Sequence, residues 1–236
     1  MSEGESTDRV SVLALALSDE KVSVAWNAAK ELGKLGAAAV GALPAVSEAL
    51  RSSDATTVVW ARYAAAKITG DIGKHLPLII QALDDKRVYA GMATTALAGF
   101  GEEARAAVPR LMELLGPENH PDNRWSAAFA LGQIGPEARE AVPALAEVLA
   151  DSDEKLRWYA AFALGEIGPD SAPAIPSLLK ALDDFDDDVR GYAARALGRI
   201  GPASFEALPQ LRNLREDEND SVRTEAESAI ALIERG

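Results

Sequence analysis

Residues that commonly carry catalytic or metal chemistry are scarce in this sequence. It contains no cysteine, and its two histidines are His75 and His120. The lack of cysteine excludes disulfides, thiolate metal sites and cysteine nucleophiles. Neither histidine has a second histidine at metal-ligand spacing or a serine–aspartate arrangement beside it, and no phosphate-binding glycine motif is present. We therefore predict that the protein is not an enzyme and has no catalytic residue, metal site or cofactor.

One acidic run invites a calcium interpretation. The run D-D-F-D-D-D at residues 183–188 lacks the central glycine and the distant bidentate glutamate of an EF-hand loop. Aspartate just before a helix commonly caps its first backbone N–H groups. We predict a solvated turn that caps the following helix.

The charge balance restricts the partner. Lysine and arginine total 24 against 37 aspartates and glutamates, so the net charge is −13, with a pI near 4.7. Binding to DNA, RNA or an anionic membrane needs a basic footprint, which this composition opposes. We expect a protein or peptide partner that is basic or apolar. No apolar run has transmembrane length and no signal-peptide core is apparent, so the cytoplasm is the default expectation.

An internal repeat organises the chain. The sequence motif A-L-G-x-I-G recurs every 33 residues, in Ala130–Gly135, Ala163–Gly168 and Ala196–Gly201. Prolines follow in phase, at steps of 32 to 34 residues, in Pro44, Pro77, Pro109, Pro143, Pro176 and Pro209. Such a period is the signature of a repeat architecture.

The sequence of each repeat predicts two helices. Residues 142–149 have helical apolar spacing, residues 151–153 supply a turn and an N-cap, and residues 156–167 form a second helix closed by Gly168-Pro169. Because no alternating strand pattern appears, the fold is predicted to be all-α. We expect a short acidic tail over residues 1–7 and a single array over residues 8–236. Its units are expected to end near Gly36, Gly73, Gly101, Gly135, Gly168 and Gly201, before a C-terminal cap.

The second repeat has an irregular spacing between its glycine, Gly73, and the proline that follows. The distance from Gly73 to Pro77 is four residues, against eight from Gly135 to Pro143. We therefore predict a lengthened turn at residues 51–57 and a shortened connection after it, most simply as repeat drift.

A family resemblance follows from the second helices. The stretch V-R-G-Y-A-A-R-A-L-G-R-I-G at Val189–Gly201 resembles the HEAT-like repeat of the phycobilisome-lyase type, and the likeness extends over roughly residues 8–236. It implies a right-handed α-solenoid of about seven helix pairs, with the second helix of each pair lining the concave face. In that family the solvent-facing positions of this helix vary freely, and artificial binders randomise them.

Aromatic and basic residues concentrate at those variable positions. Aromatic side chains outside the core of adjacent repeats are typical of a binding surface. The alternative is that the rings only pack on one another and fill a tight inner curve. The predicted binding residues are Trp26, Lys30, Tyr63, Lys67, Trp125, Phe129, Trp158, Tyr159, Phe162, Tyr192, Arg195 and Arg199.

A recurring arginine has two interpretations. It could present a row of cations to an acidic partner, or it could pair with turn carboxylates and tie one repeat to the next. The recurrence favours the structural pairing, with Asp153→Arg157 and Asp186→Arg190 at the favourable i,i+4 spacing. The arginines are Arg62, Arg124, Arg157, Arg190 and Arg223, and the proposed carboxylates are Asp122, Asp153, Asp186 and Asp220.

These observations favour a non-enzymatic scaffold that binds a protein or peptide on its concave face. The alternative implied by the resemblance is a bilin lyase or a lyase-related chaperone, in which Arg195 and Arg199 would contact tetrapyrrole propionates; otherwise a small-molecule ligand is not expected. A purely structural spacer is a third possibility. HEAT-repeat hydroxylases use repeated His-Glu pairs, and this chain has no His-Glu dipeptide.

Overall fold

Paired helices account for most of the chain. The structure is a computed structural model that describes residues 3–88 and 91–235, with side chains from residue 8 onward in those ranges. Within these ranges there is no β-strand, which confirms the all-α prediction. Within each of the two compact units described below, second helices pack on the second helices of neighbouring repeats, as in an α-solenoid.

The first helix of each pair is short in most repeats. These helices are α1 (Glu3–Ala16), α3 (Leu43–Ala49), α5 (Ile72–Gln81), α7 (Val108–Leu114), α9 (Val142–Val148), α11 (Ile175–Ala181) and α13 (Leu208–Asn213). The second helices are α2 (Val22–Leu35), α4 (Ala55–Thr69), α6 (Met92–Ala98), α8 (Pro121–Ile134), α10 (Glu154–Ile167), α12 (Asp187–Ile200) and α14 (Asp220–Arg235).

Local sequence signals set where the second helices begin and end. Asp153 and Asp186 accept hydrogen bonds from the first backbone N–H groups of α10 and α12. At the other end Gly168 has φ 77° and Gly201 has φ 83°, a backbone region that favours glycine. A 3-10 segment of seven residues follows each of these glycines and leads into the next first helix.

The second repeat departs from the predicted boundaries. Helix α4 ends at Thr69 and is capped by Gly70, where φ is 77°, so its C-terminal glycine is not Gly73. Helix α5 begins two residues later, so the 3-10 segment is missing and Pro77 lies inside the helix. The predicted lengthening of the turn at residues 51–57 is wrong, because Asp54 caps α4 in phase with the other repeats. The irregularity lies entirely after α4.

The chain divides into two compact units, residues 1–97 and 98–236, where the sequence analysis expects one array. In the first unit, α4 packs on α2; in the second, α8, α10, α12 and α14 stack in order. Helix α1 begins at Glu3, inside the segment expected to be a tail. None of the helices in the described part of the chain is both long and apolar enough to cross a membrane.

Small residues allow the second helices to approach closely. Ala160, Ala161 and Leu164 of α10 are completely buried, as the repeat motif predicts. A Cβ placed on Gly198 would lie 2.7 Å from the Cα of Ala229 in α14. The helix backbones are therefore in near contact at this position.

Candidate functional site

Six aromatic side chains of the second unit form one continuous patch. Each is half-buried, because its helix position faces neither the core nor open solvent completely. All six belong to the predicted binding set. We call them the aromatic patch: Trp125 and Phe129 of α8, Trp158, Tyr159 and Phe162 of α10, and Tyr192 of α12.

Four of the rings form a stacked row across three helices. Trp125 stacks on Tyr159 with ring centroids 5.6 Å apart. Tyr159 stacks on Trp158 at 3.6 Å, and Trp158 stacks on Tyr192 at 5.3 Å. Partial burial raises the pKa of the Tyr159 hydroxyl, and the neighbouring Tyr192 adds to this shift.

The two phenylalanines complete the patch on one side of the row. Phe129 and Phe162 stack with centroids 5.9 Å apart. Phe129 meets Tyr159 edge-on, as Phe162 meets Tyr192. The rings thus pack on one another, as the alternative interpretation predicted, yet all six stay partly exposed. Their remaining accessible surface is a rigid apolar area.

The predicted aromatic and basic residues of the first unit lie on α2 and α4. Trp26 stacks on Trp60 at 6.5 Å, and the Nζ atom of Lys30 lies 5.2 Å from the centroid of the Trp60 ring. Tyr63 meets Trp60 edge-on at 5.5 Å. Lys67 is half-buried in the same helix as Tyr63.

Tyr63 was predicted to face solvent, and this prediction is wrong. Its side chain is only 5% exposed, because the ring packs against α2 where Gly33 leaves room for it. With the repeat ended at Gly73, α4 was predicted about one turn out of phase. With a constant step of 33 residues, Trp60 is the counterpart of Tyr159 and Tyr192, and this spacing could have identified it.

The predicted cations at the end of the second unit are engaged by one carboxylate. Arg199 pairs with Glu166. The Nη2 atom of Arg195 lies 4.0 Å from the same Glu166 oxygen. The two guanidinium groups are therefore partly neutralised, which weakens the support for binding tetrapyrrole propionates there.

The recurring arginines form a ladder between repeats, as predicted, but with different carboxylates. Arg157 donates from Nε and Nη2 to Asp184 at 2.8 Å, and Arg190 donates in the same way to Asp217 at 2.8 and 2.9 Å. Arg124 donates to Asp151 at 2.6 Å. Each acceptor lies 27 residues after its arginine. The proposed partners Asp153 and Asp186 instead cap helices.

Backbone carbonyls join successive rungs of the ladder. Nη1 of Arg157 donates to the carbonyl of Asp151, and Nη1 of Arg190 donates to that of Asp184, both at 2.9 Å. Arg223 closes the series on the Asp217 carbonyl at 2.6 Å and also pairs with Asp220. Arg62 is out of phase with these residues and makes no rung among the described residues. The ladder is structural, so these cations are not offered to an acidic partner.

The rung carboxylates are held in their charged form. A hydrogen bond from Arg124 lowers the pKa of Asp151, and one from Arg190 lowers the pKa of Asp217, each against the opposing effect of partial burial. Burial raises the pKa of Asp184, but hydrogen bonds from Arg157 and the Asp186 backbone outweigh it, so this pKa is also lowered. Protonation would therefore break these contacts.

The two histidines lie in different surroundings. His75 is buried near the start of α5, and its Nδ1 atom has no hydrogen-bond partner among the described residues. Burial, with the nearby Lys74 and Arg62, lowers the pKa of the His75 imidazole. His120 is exposed, and its Nδ1 accepts the Asp122 N–H at the start of α8. Neither stands in a catalytic arrangement among the described side chains.

Two aspartates of the acidic run at residues 183–188 make contacts that stabilise the fold. Asp184 is a rung of the ladder, and Asp186 accepts the Val189 N–H as the cap of α12. The carboxylates of Asp186, Asp187 and Asp188 come within 4.8 Å of one another. Asp187 accepts a hydrogen bond from Asn219. The predicted helix-capping turn is confirmed.

Comparison with known structures places this fold among repeat proteins. An engineered protein solved by the Northeast Structural Genomics Consortium matches with a TM-score of 0.61 and 24% identity, over 96% of this chain and 68% of its own. A second engineered protein from the same consortium matches with a TM-score of 0.60 and 23% identity, over 96% of both chains. Human deoxyhypusine hydroxylase, solved with glycerol, gives a TM-score of 0.45 at 24% identity over 98% of both chains.

Sequence comparison identifies the repeat type. No curated protein matches the chain. The profile of a family described as HEAT repeats matches residues 76–154 and 142–231, which together span more than half of the sequence. The phycobilisome-lyase subtype stays a prediction. The chain belongs to the HEAT-repeat family.

Proposed function

We propose that the chain is a non-enzymatic scaffold that binds a protein or peptide, and that the aromatic patch of the second unit is its binding surface. One observation carries this proposal: six partly exposed rings are joined across α8, α10 and α12 at positions that the core does not use. Contiguous apolar surface of this kind marks interaction sites, and aromatic residues dominate the energetics of interfaces.

The stacking supports binding because it fixes the surface in advance. Each ring of the patch contacts at least one other ring, so few side-chain rotamers remain to be frozen when a partner binds. A preorganised surface loses less entropy on association than a set of mobile side chains. The small residues beneath the patch hold the three helices close together.

The bilin-lyase alternative has weaker support. A tetrapyrrole needs free cations for its propionates, and both Arg195 and Arg199 are directed toward Glu166. Titration of the chain with free bilin tests this alternative by visible absorbance. A saturable spectral shift would favour it, and an unchanged spectrum would contradict it.

A peptide selection tests the proposed function. A randomised twelve-residue phage library is selected on the wild-type chain, and the selected peptides are assayed against Trp125→Ala/Trp158→Ala. We expect the loss of two anchors to weaken binding at least about a hundredfold, in line with interface hot spots. The control is Phe185→Ala/Phe205→Ala, which removes two exposed rings outside the patch. Circular dichroism checks that both variants are folded.

The outcomes are distinct. Binding that survives in the control and is lost in the tryptophan variant supports the patch as the site. Equal binding by both folded variants, or failure of the wild-type chain to select any peptide, contradicts the proposal.

A further inference from the structure

An acidic niche lies at one end of the aromatic patch. It has a volume of about 110 Å³ and lies between the N-terminal turns of α12 and α14. Asp187, Asp188 and Glu225 contribute carboxylates to its lining, and Tyr192, the last ring of the stacked row, also lines it. The niche therefore continues the aromatic patch directly.

The negative charge of the niche is incompletely compensated. Asp187 accepts from Asn219, but no side-chain donor contacts Asp188 or Glu225 among the described residues. Partial burial raises the pKa of Asp188, and the neighbouring Asp186 and Asp187 raise it further. Arg195 also lines the niche, yet its guanidinium group reaches toward Glu166 on α10. A cation placed here would relieve repulsion among the carboxylates.

We propose that the partner of the aromatic patch is a peptide segment with a lysine or arginine side chain, whose cationic head enters the niche beside Tyr192. This inference rests on the proposed function. The apolar neighbours of the basic residue lie on the exposed ring edges of Trp158 and Tyr192, while the head group meets Asp188 and Glu225. A cation beside a tyrosine ring gains from the ring quadrupole as well as from the carboxylates.

The charge of the whole chain supports a basic partner. With a net charge of −13 the chain attracts cationic segments at long range and accelerates their encounter. This general attraction does not select a position, whereas the niche does. The experiment must therefore separate the local contact from the overall field.

The test uses the peptides selected on the wild-type chain, measured by fluorescence anisotropy against two variants of equal charge. Asp188→Asn/Glu225→Gln removes the two carboxylates without a side-chain donor, and neither makes a side-chain contact that holds the fold among the described residues. Glu140→Gln/Glu147→Gln is the control, since both residues are exposed and lie away from the patch. Both variants raise the net charge by the same amount.

We expect the selected peptides to be enriched in lysine or arginine. Their dissociation constants should rise about tenfold or more for the niche variant and less than about twofold for the control. Replacing the basic residue of a peptide by norleucine should produce a similar loss on the wild-type chain, and no further loss on the niche variant.

Other results overturn the inference in recognisable ways. Peptides that need the two tryptophans but contain no basic residue would leave the proposed function standing and exclude the niche. Equal weakening by both charge variants would assign the effect to the overall field. Calcium binding by calorimetry that competes with the peptides and disappears in the niche variant would make the niche a metal site. Failure to select any peptide would overturn the inference together with the proposed function.

Discussion

Two serines bury their hydroxyl groups in the core. Ser171 and Ser204 are completely buried at equivalent positions of the 3-10 segments, and neither Oγ atom has a partner within the described structure. Ala138 occupies the same position one repeat earlier and is also fully buried. An unpaired buried hydroxyl loses its hydration without compensation.

Replacing these serines by alanine should stabilise the protein. We expect Ser171→Ala and Ser204→Ala each to raise the free energy of unfolding by about 1 kcal/mol, because each removes an unsatisfied polar group from a site that already suits alanine. Urea denaturation followed by circular dichroism measures the change. Since the two sites are in different repeats, the double variant should show nearly additive effects. A loss of stability would mean that the hydroxyls do find partners.

His75 should make the first unit sensitive to mild acid. Burial lowers its pKa in the folded chain below the ordinary value of 6.5. The unfolded chain therefore binds the proton more readily, and stability decreases as the pH falls from about 6.5 toward the folded pKa. Urea midpoints measured between pH 8 and pH 5 should fall for the wild-type chain. They should change less for His75→Leu, which cannot titrate.

For single residues, the sequence predicts the positions of the aromatic patch better than those of Trp60 and Tyr63 in the first unit. The six patch residues lie in repeats where the motif is regular, so their phase could be determined directly. Ending α4 at Gly73 and not after Thr69 shifted its predicted phase, but in the correct phase Tyr63 is the counterpart of Phe129 and Phe162, so its burial follows from its packing against α2 at Gly33. The burial of Trp60 depends on packing between helices, which single-sequence spacing does not reveal.

The ladder should contribute measurably to the stability of the second unit. Arg157→Met leaves Asp184 without its bidentate donor, although the carboxylate is only 13% exposed. We expect a loss of about 2–3 kcal/mol in unfolding free energy, because the remaining charge is unpaired and partly buried. Arg157→Lys should recover only part of it, since an ammonium group cannot reproduce the planar two-point contact.

The matched control is Arg139→Met, at an exposed arginine of the 3-10 segment before α9. It makes the same change of charge and should alter stability by less than about 0.5 kcal/mol. Chemical denaturation of the three variants compares them. A similar cost for Arg139 and Arg157 would contradict a structural role for the ladder.

Close contact between second helices predicts a graded response to added methyl groups. Gly198→Ala places its Cβ 2.7 Å from the Cα of Ala229, a backbone atom that cannot move alone. We expect a cost of about 1–3 kcal/mol, as for other overpacked sites. Gly165→Ala meets Ala196 at 3.2 Å, and the gain in helix propensity should offset much of its smaller strain. Thermal melts should rank Gly198→Ala below Gly165→Ala and the wild type.

The order of the helices could be predicted from glycine, proline and aspartate alone. These residues act locally, on caps and turns, so their effect does not depend on distant contacts. The junction of α4 and α5 escaped prediction because two glycines compete there, and the choice between Gly70 and Gly73 depends on how far α4 extends against its neighbours. The acceptors of the ladder escaped prediction because each rung joins residues 27 positions apart, and the i,i+4 spacing within one helix does not reveal a contact between repeats.

Across the whole molecule, acid should affect the two units in different pH ranges. The His75 effect belongs to the first unit and begins near pH 6.5. The rung carboxylates belong to the second unit, and their folded pKa values lie below the ordinary 3.8. Their stabilisation is therefore complete above about pH 3.8 and is lost as the pH falls further.

Fluorine NMR can follow both units in one sample. The chain has four tryptophans, Trp26 and Trp60 in the first unit and Trp125 and Trp158 in the second. With 5-fluorotryptophan incorporated, we expect the first-unit signals to shift toward unfolded positions at a higher pH, at a fixed moderate urea concentration, than the second-unit signals. Simultaneous loss of all the signals, or the reverse order, would contradict this prediction.

The ladder also bears on how the array can change in length. Every rung joins an arginine to the aspartate 27 residues further on, while the repeat advances by 33. Inserting a second copy of residues 155–187 after residue 187 would therefore add one arginine and one aspartate that lie 27 residues apart, and the existing rungs would keep their spacing. Insertion of a few residues between Arg157 and Asp184 would instead move a charge out of reach. Duplication of a whole repeat thus keeps every rung of the ladder paired in this part of the chain, whereas small insertions separate an arginine from its aspartate.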